Sequence, residues 1–240
     1  MRLTFESTER IGDIVLACPG TMRVFERLGL DYCCGGHRSL AEAAALAGQD
    51  VAEVQGALAG AGTGDAAVAD PRALAEGGLR DLIAHIEATH HVFTRTELDR
   101  VAPLMEKVAQ VHGAGHPELA EVRELFFRLR ADLLPHLEKE ERILFPYIRT
   151  LEGGAAACEA CFGTVRGPVS VMQAEHEEAG EILRELRALT RGFQVPEDGC
   201  ATYRSLLMGL EALEADLHLH IYLESHILFP RAIALEDANA

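Results

Sequence analysis

Two strings of the chain repeat one spacing. HLEKEERILFP (136–146) and HIYLESHILFP (220–230) each set a His, three residues, a Glu, two residues and then Ile-Leu-Phe-Pro. Residues four apart lie on one face of a helix, so His136 with Glu140, and His220 with Glu224, can aim their donor atoms at one centre. Both pairs also interrupt apolar stripes. Leu119, Val122, Phe126, Leu129, Leu133, His136, Glu140 and Ile143 follow one another in steps of three and four, as do Leu206, Leu210, Leu213, Leu217, His220, Glu224 and Ile227. That periodicity marks the buried face of a helix. A buried carboxylate is costly unless it is paired or ligates a cation. Two carboxylates, each one turn after a His, therefore make a metal centre the economical chemistry.

The internal repeat extends the set. A third stripe, Val169, Met172, His176, Ala179, Leu183 and Leu186, again carries an imidazole at a core position. The offset that superimposes His220 on His136 brings His176 within one residue of His91. Its neighbour His90 is the rival, at the cost of a two-residue slip. The candidate ligands are thus His91, His136, Glu140, His176, His220 and Glu224. If each Glu bridges two metals and each metal takes two His, every metal has four protein donors. An oxo or hydroxo bridge makes five and leaves one position for a small ligand. Imidazole and carboxylate donors without thiolate suit iron, with manganese or zinc behind it, at a metal–metal spacing of about 3.5–4 Å. Glu175, beside His176, is a candidate for an entry route. His85, His218 and His226 fall off the stripe and are expected to be partly exposed. Pro135 is read as a kink, and the ILFP segments as packing with a helix-ending proline.

Four long helical patterns, roughly 79–111, 117–151, 166–191 and 198–235, must position these groups. HGAGHP, EGGAAACEACFG and GFQVPEDG separate them, and no strand-like alternation is present. The expected fold is all-α, an antiparallel four-helix bundle over 79–240. Residues 1–60 read as a small helical N-terminal domain. There Thr21 is a possible N-cap, Gly29 and Gly48 are helix stops, and Ser39 with Glu42 forms a capping box. Residues 61–78 read as a linker with a helical turn after Asp70-Pro71.

Composition sets limits. Among 240 residues, 22 Lys and Arg face 38 Asp and Glu, a formal net charge of −16. Nucleic acid and anionic membrane are disfavoured as partners, because phosphate contacts need clustered positive charge. No apolar run suits a membrane helix, and the polar N-terminus has no signal-peptide core, so a cytoplasmic location is expected. Six cysteines in such a chain do not suggest a disulfide framework. Cys33 and Cys34, in DYCCGG, are expected in a tight turn that leaves the thiols accessible, where a thiolate could ligate soft metal or exchange disulfides. Cys158 and Cys161 form a CxxC with no assigned role. Cys18 and Cys200 are read as structural.

DYCCGG (31–36), KVAQVHGAGHPEL (107–119), HLEKEERILFP, VSVMQAEHEEAGE (169–181) and HIYLESHILFP together resemble the iron–sulfur cluster repair di-iron proteins, the Repair of Iron Centres family, over nearly the whole chain. The resemblance implies a short N-terminal domain and a hemerythrin-like bundle, and its di-iron ligands fall on the same six residues, with both Glu as bridges. It also implies two iron ions, oxo- or hydroxo-bridged, and a role in restoring clusters damaged by nitric oxide or oxidants by supplying iron, with Cys33 and Cys34 mediating contact or transfer. Expected partners are proteins with damaged clusters, NO or O2 as small ligands, and a second copy in a homodimer. The alternatives are a di-iron nitric oxide reductase forming N2O and a di-iron sensor or binding module. Oxygen-carrying hemerythrins use a His-richer set; a Glu after both His136 and His220 argues against simple oxygen transport.

Overall fold

The computed structural model describes residues 4–61, 71–153 and 163–239. Among them every regular element is helical, and one bridge, Arg10 with Ser39, is the extended pairing. The N-terminal part comprises α1 (Ile11–Ala17), α2 (Met22–Leu28), α3 (Leu40–Leu46) and α4 (Val51–Leu58). Its short helices are closed by local chemistry. Gly29 ends α2 in the left-handed region, at φ 70°. Ser39 and Glu42 make the reciprocal capping box of α3, and Asp50 accepts from the N–H groups of Ala52 and Glu53 to start α4. Thr21 does not cap α2. It lies in a 3-10 turn, Pro19–Thr21, and its hydroxyl donates to the Cys18 carbonyl, leaving no oxygen aimed at the helix start. The turn expected after Asp70 is α5 (Pro71–Glu76).

Four rods form the bundle. The first is α6 (Leu79–Ile86), a π-turn (Glu87–His91) and α7 (Val92–His112); the second is α8 (Leu119–Lys139), a π-turn (Glu140–Leu144) and α9 (Phe145–Glu152). The third is α10 (Arg166–Leu189), uninterrupted; the fourth is α11 (Ala201–Tyr222), a π-turn (Leu223–Leu228) and α12 (Phe229–Asn239). α7 packs on α8 and α11, and α10 closes the ring against the same two. No described helix is long and apolar enough to cross a membrane. Cys158 and Cys161 lie outside the described residues.

The π-turns correct two expectations. Ile143 was placed on the core stripe, but it is 49% exposed, whereas Leu144, Phe145, Ile148 and Leu151 are buried. A π-turn takes an extra residue, so the buried phase moves on by one. The ILFP prolines, Pro146 and Pro230, do not end their helices, which run on to Glu152 and Asn239. Each stands in the first turn of a resumed α-helix, where a missing N–H costs least. α8 likewise continues through Pro135.

Among the described residues two hydrophobic clusters form the core. One contains Leu98, Phe126, Leu183 and Leu213 in the body of the bundle. The other joins the far end of the bundle (Ile83, Phe145, Val169, Leu228) to the N-terminal helices through Ile11, Phe25 and Leu40. The DYCCGG loop closes this second cluster against the fourth rod. His226 Nε2 lies 2.8 Å from the Cys33 carbonyl, and the Tyr222 hydroxyl donates to the Gly12 carbonyl at 2.9 Å. A Cβ on Gly36 would lie 2.3 Å from His226 Nε2 and 2.5 Å from the Tyr32 carbonyl, so this position admits only glycine. Gly36→Ala is expected to lower stability by about 1–3 kcal/mol, as overpacking does. A lower urea midpoint at unchanged slope reads this out; an unchanged midpoint would contradict the close approach.

Candidate metal centre

The six predicted ligands meet in one layer between the two hydrophobic clusters. His91 ends the first π-turn, Glu140 opens the second, and Glu224 lies in the third. His136 is in the last turn of α8, His176 within α10 and His220 near the end of α11. The widest exposure among them is 4%, at His136. Three of the four rods therefore change helix type at a ligand, a common use of π-turns at functional sites.

The two carboxylates each divide their oxygens. Glu140 sets Oε2 3.4 Å from His91 Nε2 and Oε1 3.3 Å from His136 Nε2. Glu224 sets Oε1 3.2 Å from His220 Nε2 and Oε2 3.1 Å from His176 Nε2. Two donor groups result, His91 with His220 and His136 with His176, and both carboxylates belong to each. None of the four carboxylate oxygens has a hydrogen-bond partner, and neither do His91 Nε2 and His220 Nε2, all fully buried. His136 Nε2 and His176 Nε2 face each other at 3.2 Å. Buried polar atoms left without partners are rare and costly. Here they converge, and their chemistry, imidazole nitrogen with carboxylate oxygen, fits cations in both groups.

Behind the ligands lies a set of groups that orients them. His91 Nδ1 is 2.8 Å from Glu141 Oε1, and Arg95 holds both oxygens of Glu141. His136 Nδ1 is 2.7 Å from Glu175 Oε2, and Lys139 pairs with the other oxygen of Glu175. Ser225 Oγ stands 3.3 Å from His176 Nδ1. A carboxylate that accepts from Nδ1–H fixes the tautomer and leaves Nε2 bare for a cation. Glu175 thus supports His136, and it also lines a cavity of 210 Å³ that reaches His136, His176 and His220 past Lys139 and Leu217. His90 is buried too, but its Nδ1 pairs with Asp216 at 2.9 Å, outside both donor groups.

The charges reinforce one another. Burial and the neighbouring Glu224 both oppose ionisation of Glu140, yet His136 and His91 outweigh them and hold its pKa below the ordinary value. Burial likewise opposes ionisation of Glu224, and His220 and His176 hold it well below. Burial works against protonation of His136, but Glu140, Glu224 and Glu175 push it up to about 9.

The cysteines depart from expectation. Cys33 is only 2% exposed, because the DYCCGG loop is pressed against the bundle, and Cys34 is half-buried against α10. Cys18 is buried, but Cys200 is exposed at the start of α11, its thiol 3.3 Å from His112 Nε2. Backbone N–H groups at Tyr203 and then His112 lower that thiol to about 7. The π-turns and the Glu141 and Glu175 supports were missed in the sequence. The Glu141 signal was present, as an acid directly after a ligand.

Residues 81–232 match the family described as the hemerythrin HHE cation binding domain, and residues 7–61 match a domain of unknown function, DUF542. The chain is 35% identical over 223 residues to the iron-sulfur cluster repair protein YtfE of Edwardsiella ictaluri (strain 93-146), covering 93% of this chain and 96% of that protein. It is 35% identical over 228 residues to the protein of that name from Pectobacterium carotovorum subsp. carotovorum (strain PC1), covering 94% and 96%. With that of Escherichia coli O81 (strain ED1a) it is 34% identical over 227 residues, covering 94% and 97%.

Two outcomes test the centre. Glu175→Gln should weaken cation binding about 10–100-fold, the usual loss when an orienting partner is removed, as measured by competition with a chelator. Second, a His136 that titrates near 9 carries a proton at neutral pH, and a cation needs the bare imidazole. Metal uptake should therefore release protons and weaken as pH falls, seen as a dependence of the calorimetric heat on buffer ionisation enthalpy.

Proposed function

The chain belongs to the YtfE-type iron–sulfur cluster repair family and carries both a DUF542 domain and a hemerythrin HHE cation binding domain, and on that footing we propose that it restores clusters damaged by nitrosative or oxidative stress by supplying iron. One observation carries the reading. Two fully buried carboxylates turn each of their oxygens toward a different imidazole pair and have no hydrogen-bond partner of their own.

In this reading His91 with His220 would hold one iron and His136 with His176 the other, with Glu140 and Glu224 offering carboxylate oxygens to both. When bound, an oxo- or hydroxo-bridged iron pair would supply both a store of iron and a position for a small ligand such as NO or O2. The protein's own groups do the rest. Glu141 and Glu175 keep Nδ1 of His91 and His136 protonated, so that Nε2 faces inward. The hydrophobic clusters on either side keep bulk water from the donors, and the cavity at Glu175 is the route for small ligands. Imidazole and carboxylate are harder donors than the thiolate and sulfide of a cluster, which select iron. The working division is residues 1–60 for client contact, 61–78 as linker and 79–240 as the iron store, acting in the cytoplasm on proteins with damaged clusters. Cys33 and Cys34 sit where the first part meets the third.

The test is reactivation of an oxidatively damaged aconitase-type enzyme. Iron-loaded protein should restore more activity than free iron at equal concentration, and Glu140→Ala, which removes one bridge, should abolish the advantage. Recovery equal to that with free iron would defeat the proposal.

A further inference from the structure

Asp31, Cys33 and Cys34 bring together a carboxylate and two thiols, apart from the bundle centre. One ligand atom from each lies within 4.8 Å of the others. Asp31 Oδ1 is 3.2 Å from Cys33 Sγ and accepts from the Cys34 backbone N–H at 2.9 Å. The two sulfurs are 3.8 Å apart, far beyond the roughly 2.05 Å of a disulfide, and both cysteines are free. On its far side Cys34 Sγ touches α10, 3.5 Å from the carbonyl of His176, itself a candidate ligand of the bundle. A Cβ at Gly180 on that helix would meet the same sulfur at 3.4 Å.

The loop is built to hold these donors together. His226 meets the Cys33 carbonyl from the fourth rod, and Gly35 and Gly36 allow the backbone to fold back over Asp31 and Tyr32 without a clashing Cβ. Burial opposes a charge on Asp31, but the N–H groups of Cys34 and Gly35 and the Cys33 thiol outweigh it and keep the carboxyl ionised. The hydrogen bond to Cys34, burial and the Asp31 carboxylate all hold the Cys33 thiol protonated. A protonated, buried thiol is a poor nucleophile for disulfide exchange. It becomes a ligand when a cation displaces its proton.

We propose that Asp31, Cys33 and Cys34 form a second cation site, of one carboxylate and two thiolates, that takes a divalent transition ion, ferrous iron in the cell. Binding M2+ releases two thiol protons to solvent, and no electron moves. The site provides three donors, leaves room for further ligands, and touches the helix that carries His176. The ion's identity rests on the iron reading above; the existence of the site does not.

The probe is Co2+, whose thiolate complexes absorb in the near ultraviolet through sulfur-to-cobalt charge transfer, whereas nitrogen and oxygen ligands give no such band. Reduced, metal-free full-length protein carrying Cys158→Ser, Cys161→Ser and Cys200→Ser, the last because that exposed thiol lies beside His112, would be titrated without oxygen. A thiolate band should saturate within about three equivalents, one for these thiols and two for the bundle centre. The band should persist in Glu140→Ala/Glu224→Ala, vanish in Cys34→Ala, and need at least about tenfold more Co2+ in Asp31→Asn, the smaller loss expected even of an orienting partner. No band in the parent protein, a full band in Cys34→Ala, or loss of the band with the bundle carboxylates would each overturn the proposal. Cys33 is buried and Cys33→Ala can unfold the loop, so half-buried Cys34 and Asp31 decide, with helicity checked by circular dichroism. If the band behaves as described and the reactivation assay fails, the repair reading falls and this site stands.

Discussion

Glu140 and Glu224 have no exposed surface, and Glu224 makes Glu140 harder to ionise. At an effective dielectric of about 20, two like charges 4 Å apart cost about 4 kcal/mol. The imidazoles gathered around them outweigh that repulsion, yet the carboxylate oxygens still lack hydrogen bonds. A fold with this layer at its centre is consistent only if positive charge is supplied to it. The rest of the architecture follows from placing that layer and protecting it.

Placement is done by four rods from distant parts of the chain, and protection by the two hydrophobic clusters on either side. A second ring of charge, Glu141 with Arg95 and Glu175 with Lys139, lies between the ligands and solvent. It fixes ring orientation where the helix backbone alone cannot, and its charges are paired so that they add no net charge of their own. The side at Glu175 and Lys139 is more open, and there the cavity reaches the imidazoles.

Much of this was legible in the sequence, because apolar stripes with steps of three and four report which residues face inward, and polar residues that keep the step are conspicuous. His136, Glu140, His176, His220 and Glu224 stand out that way, His91 follows from the offset of the internal repeat, and the geometry brings all six together. The same rule failed just past Glu140. It assumes a constant helical phase, and a π-turn leaves no compositional mark, so Ile143 was assigned inward although it faces solvent. Cys33 was misjudged for a different reason. Its burial depends on His226 and Tyr222, almost two hundred positions away, and no local pattern reports such a contact. Thr21 shows a third limit, since a residue of capping type has a competing use in a neighbouring turn.

Tyr222 and His226 flank Glu224 and at the same time hold Gly12 and the DYCCGG loop. The turn that offers a carboxylate to the centre is therefore also the seat of the N-terminal helices. Thermodynamic reciprocity then applies. If filling the centre firms that turn, the seat binds its occupant more strongly by the same free energy, and anything that pulls the seat away, a client protein included, must loosen the grip on the cation by an equal amount.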